Sequence, residues 1–171
     1  METTFQSEFI QNCKYRLQES LRMIKICYSD LAEDQIWQKP NENSNSIANQ
    51  TLHLCGNLRQ YAIASLSEGK DERIRDLEFS TSGGYAKAEL LSKLESTIEE
   101  VFKIADSIPP ESWLKIRSVQ GFKFSGVGVL LHAVEHLSYH TGQIALITKL
   151  YKNRPLGFYD GFDLNTKNDE S

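Results

Sequence analysis

The chain has 171 residues, 40% of them hydrophobic, and a formal net charge of −4. That length can close one sizeable core, and the charge balance, with no basic cluster beyond "KIR" and "KNR", excludes electrostatic capture of nucleic acid. The longest apolar run, around "VLLHAV", falls far short of the roughly 20 residues that cross a bilayer. Neither a cationic start nor an apolar h-region marks a secretory leader, so the expectation is a cytoplasmic protein without a membrane anchor.

The first predicted helix places Phe5, Phe9, Cys13, Leu17, Leu21, Ile24, Tyr28 and Leu31 at spacings of three and four, an apolar stripe. Cys13 and Cys27 share it about 21 Å apart, beyond disulfide reach. With Cys55 they make an odd set without a CxxC pair, and all three read as small core residues. "QKPNENSNS" is a turn-rich linker in which Pro40 bars helix continuation. Ser44 or Ser46 can cap a second helix that runs to about Leu66. "SEGKDERIRDLEFSTSGG" reads as a charged connection. A third helix spans about Tyr85 to Asp106, with Leu90, Leu91, Leu94, Ile98, Val101, Phe102 and Ala105 in register, and Pro109 and Pro110 stop it. "WLKIRSVQGFKFSG" allows either a short hairpin or an ordered loop around Gly121. The fourth helix spans about Gly126 to Tyr151 and ends at "NRP". The tail from about residue 160 is expected to be partly disordered, while its aromatic part can pack on the helices. Four amphipathic helices without an internal repeat predict an all-α, four-helix bundle in one domain over residues 1–171.

"HAVEHLSYHTGQ" holds three of the chain's four histidines. At about 100° per residue, His132, His136 and His140 lie within roughly 80° of one another, and Gln143 shares their stripe. A lone histidine is usually an ordinary hydrogen-bonded residue. Three on one face, with a single one elsewhere, favour a shared metal ion, since an i, i+4 pair can reach one ion from one helix. Neutral imidazoles suit zinc, nickel or another late divalent metal. The second helix carries a polar row, Ser46, Asn49, His53, Asn57 and Gln60, opposite its apolar stripe. Periodicity alone sends His53 to solvent, so the metal reading requires it to face a cleft or a groove against the fourth helix. Cys55 points about 200° away from His53. Glu135 lies off the histidine stripe and reads as a solvated charge, and Tyr139 flanks that stripe. Arg73 and Arg75 can meet an anion but sit in a charge run, which is usually solvated surface.

"EHLSYHTGQIALITKLY" resembles the last-helix signature of the DinB superfamily of YfiT-like metal-dependent enzymes. "PNENSNSIANQTLHLCGNLRQYA", "RIRDLEF" and "LGFYD" resemble one branch of it, a domain of unknown function, so the likeness covers most of the chain. It implies a bundle with a three-histidine divalent metal site. His53 matches the single upstream ligand, and His136 and His140 match the pair of the H-x-x-x-H-x-G-Q motif. His132 is extra to that triad; with Asn49, Asn57, Tyr139 and Gln143 it is expected to line the pocket or orient the ligands. Relatives include thiol S-transferases and a thiol-dependent isomerase that often carry Arg where this chain has Thr141. The expected function is therefore a metal-dependent enzyme activating a thiol or water, as a transferase or hydrolase. Its expected partners are a small-molecule substrate, such as a low-molecular-weight thiol, and a second copy in a homodimer. The alternative is a non-enzymatic metal- or small-molecule-binding stress-response protein with a structural ion.

Overall fold

A computed structural model describes residues 4–168. Helix α1 (Phe5–Asp30) starts where the Thr4 hydroxyl accepts from the Ser7 amide at 3.1 Å, which satisfies one of the amide donors left free at a helix start. Cys13, Leu17, Ile24, Cys27 and Tyr28 are buried as the stripe predicts. Phe5 corrects it: the ring is 85% exposed, because the first turn overhangs the bundle and burial sets in only from Ile10.

Helix α2 begins at Ile47–Leu58 behind a Ser46 cap and continues through a π-helical turn, Arg59–Ala64, and a final turn, Ser65–Ser67. From Ile47 to Leu58 every residue but Gly56 is buried. The polar row therefore does not face solvent, against the periodicity. The reason lies in the charged connection, where a short helix, α3 (Arg75–Ser80), forms and lies over α2. Asn49 holds it there, its amide nitrogen donating to the Glu78 and Thr81 carbonyls at 3.0 and 2.7 Å.

Helix α4 (Lys87–Ser107) buries Leu90, Leu94, Ile98, Val101 and Ala105, and a 3-10 turn at Pro110–Leu114 leads out of it. The ambiguous stretch is a hairpin: β1 (Ile116–Val119) pairs antiparallel with β2 (Phe122–Ser125). Gln120 and Gly121, both at positive φ (52° and 83°), make its two-residue turn, the conformation whose twist suits a hairpin. Helix α5 (Gly126–Lys152) is capped by the Ser125 hydroxyl, which accepts from the Gly128 amide, and closes at Asn153 in the left-handed region.

The four long helices form the bundle, α1 along α5 and α2 against both α4 and α5. The Tyr28 hydroxyl crosses the core to Thr51 Oγ1 at 2.6 Å; Thr51 itself donates to the Ile47 carbonyl, so Tyr28 is the donor. The three cysteines are free and buried. Phe158 packs on the bundle and residues 160–168 are exposed turns; the rest of the expected disordered tail lies outside the described residues. Among the described residues no helix is long and apolar enough to cross a membrane.

Candidate metal centre

Helices α2 and α5 bring their histidines face to face. His53 Nε2 and His136 Nε2 lie 3.1 Å apart, and the rings of His53, His136 and His140 are mutually 4.7–4.9 Å apart between centroids. One ligand atom from each of these three residues falls within 4.8 Å of the other two.

Two of the three rings are held from behind. His53 Nδ1 lies 2.8 Å from Glu78 Oε2, and Phe79 covers the same ring at 4.8 Å. His140 Nδ1 lies 3.3 Å from Gln50 Oε1, an acceptor. These partners place protons on Nδ1 and leave Nε2 of both rings as lone-pair donors. His136 Nδ1 is buried without a partner.

Burial, and after it the neighbouring imidazoles, push His136 down to about 3. Burial and His53 take His140 down to about 4. Both rings are neutral at pH 7, the form that binds a metal. Burial raises the Glu78 carboxyl, but hydrogen bonds from Arg73 and His53 outweigh it and keep the pKa below the ordinary carboxylate value.

The donor set fits a late divalent ion. Zinc–nitrogen bonds of about 2.0–2.1 Å in tetrahedral geometry separate two nitrogens by about 3.3 Å, close to the 3.1 Å between the His53 and His136 Nε2 atoms. With Glu78 holding His53 Nδ1–H, His53 Nε2 is an acceptor that His136 Nε2 meets either with its own N–H or through a shared ion. No fourth His, Cys, Asp or Glu joins the group among the described residues. Cys55 is buried in the core.

The other expected site residues divide. His132 stacks on Tyr61 at 4.1 Å, and its Nε2 accepts from Asn57 Nδ2 at 3.4 Å. Both therefore stand beside the triad. Tyr139 is 65% exposed, with its ring edge-on to His140 at 5.1 Å, a rim position. Gln143 is half-buried one turn further along. Asn49 acts one step back: it touches no imidazole but anchors the backbone of Glu78. Arg73, expected as solvated surface or an anion contact, is instead spent on Glu78, with Nε to Oε1 at 2.7 Å and Nη2 to Oε2 at 2.8 Å. Arg75 is exposed and lies over Phe79.

Glu78, Gln50 and Tyr61 were not legible as site residues. Glu78 is one acid in a charge run, Gln50 sits off the histidine row, and the π-helical turn that brings Tyr61 to His132 leaves no sequence period. A cleft of about 550 Å³ lies behind Glu78, lined by Leu52, Gly56, Ile63, Arg73, Ile74 and Leu77, but none of the four histidines lines it.

A helical bundle with a histidine cluster between two of its helices defines the class. A crystal structure of a DinB-like protein, YjoA, from Bacillus subtilis has the same fold, with a TM-score of 0.62 at 17% identity over 82% of this chain and 91% of that one. The chain belongs to the family described as "Protein of unknown function (DUF1572)", whose model matches residues 4–157, and its fold is DinB-like. No curated protein matches it.

Proposed function

We propose that this protein is a metal-dependent enzyme in which His53, His136 and His140 hold one divalent ion, zinc or nickel. The observation that carries the reading is the convergence of three imidazoles whose outer nitrogens are oriented, for two of them, by a carboxylate and an amide oxygen. Metal-ligating histidines characteristically donate their second N–H to such acceptors. A bound ion would supply Lewis-acid activation, making an anionic thiol or water available near neutral pH.

The chain's own groups do the rest. Glu78 and Gln50 fix the ring planes, Phe79 covers His53, and His132 with Tyr61 and Asn57 walls one side. Three protein donors leave room for a small-molecule partner, and a low-molecular-weight thiol, bound as thiolate, suits a late divalent ion held by imidazoles. The reaction is a transfer to, or hydrolysis of, a small electrophile. The whole chain acts as one cytoplasmic DinB-like domain, paired as a homodimer.

Cobalt substitution tests this. Thiolate coordination to Co(II) adds a charge-transfer band in the near ultraviolet. Low-molecular-weight thiols should produce the band in the parent protein and not in His140→Ala. A parent spectrum unmoved by thiols would remove the thiol reading. One unmoved by small anions as well would favour a closed, structural ion.

A further inference from the structure

Arg73 and Glu78 form a bidentate pair in a place where such pairs are costly: their side chains are only 3% and 9% exposed. Desolvating two charges is repaid only by tight geometry and further hydrogen bonds, and an apolar pair of similar size would often be as stable. The pair is also seated at a glycine in mid-helix, where alanine would favour the helix. A Cβ on Gly56 would stand 1.8 Å from Glu78 Oε1, 2.7 Å from its Cδ and 3.0 Å from Arg73 Nε. So α2 lacks a side chain at the one point that lets the carboxylate approach.

We infer that the Arg73–Glu78 pair, admitted by Gly56, is the positioning device of the site: it fixes His53 as the Nδ1–H tautomer and aims its Nε2 at His136 and His140. Two contacts compete for His53 Nδ1, Glu78 Oε2 at 2.8 Å and Arg73 Nη2 at 3.1 Å. The shorter contact decides: the ion-paired Glu78 carboxylate can only accept, so a 2.8 Å contact requires an N–H on His53 Nδ1, while Arg73 Nη2 donates to Glu78 Oε2 at 2.8 Å. Arg73 is itself braced, since Nη1 donates to Gln60 Oε1 at 2.8 Å and Gln60 Nε2 to Asp71 Oδ2 at 2.7 Å. The carboxylate is thus held on both oxygens and cannot turn away from the ring. The consequence for metal affinity rests on the metal reading above; the tautomer does not.

The test uses Gly56→Ala, Glu78→Ala and the double variant. Long-range imidazole nitrogen-15 spectra of the metal-free parent should show His53 as the Nδ1–H tautomer, and both single variants should lose that preference. Zinc affinity, measured against a competing chelator, should fall about 10- to 100-fold in each single variant, the usual cost of losing such a partner. Because both act through one carboxylate, the double variant should bind no worse than Glu78→Ala, whereas independent effects would add. Should Glu78→Ala fail to fold, Gly56→Ala alone gives both readouts. A parent His53 in the Nε2–H form overturns the inference, as does a Gly56→Ala protein with parental tautomer and affinity, or additive losses. A parent with His53 as Nδ1–H that takes up no divalent ion supports the positioning and sinks the metal reading.

Discussion

His136 and His140 are kept neutral by burial and by neighbouring imidazoles, His53 acting on both, with pKa values of about 3 and about 4. In the unfolded chain a histidine titrates near 6.5. As the pH falls below about 6.5 the unfolded chain therefore gains protons that the folded rings refuse until about 4 and 3, and stability must drop across that window. Urea melts of the metal-free protein between pH 7 and 4.5 should show this loss, and His136→Ala should flatten it. Equal slopes in the two proteins would contradict the pKa assignment. His132 differs in kind, because Asn57 occupies its Nε2 and Tyr61 its face. His132→Ala should keep most of the metal at weakened affinity. A loss as complete as in His140→Ala would make His132 a direct ligand.

Between residue and fold stands α3, six residues tied to α2 by the Asn49 amide and by the Glu78–His53 contact. Asn49→Ala leaves the carbonyls of buried Glu78 and half-buried Thr81 without this donor, a cost of about 1–3 kcal/mol. Hydrogen exchange over residues 75–81 should quicken while α1 and α4 stay protected; unchanged exchange would show that α3 is held otherwise. This element also marks how far the sequence could be read. The stripes of α1 and α4 show which face is buried, the Ser46 cap and Pro109 place ends, and the four-residue spacing puts three histidines on one face. The burial of His53 was not legible, because its cover comes from a charged stretch too short to display a helical period. The same stretch hides Glu78 and turns Arg73 from apparent surface into an interior group.

At the scale of the molecule, α5 also exposes Leu131, Tyr139, Leu146 and Leu150, beside and beyond the histidine stripe. An apolar row of this kind along the outer side of a bundle helix suits a second copy of the chain. Light scattering should find a dimer, and Leu146→Glu should yield a monomer that retains its metal; a monomeric parent would contradict the pairing. The bundle's central task, though, is to hold two helices so that three imidazoles meet. Metal analysis of protein purified without a histidine tag tests that most directly. About one divalent ion per chain is expected from a single three-nitrogen site, and none in His136→Ala or His140→Ala. Full occupancy in both variants, or a metal-free parent after exposure to zinc and nickel, would contradict it.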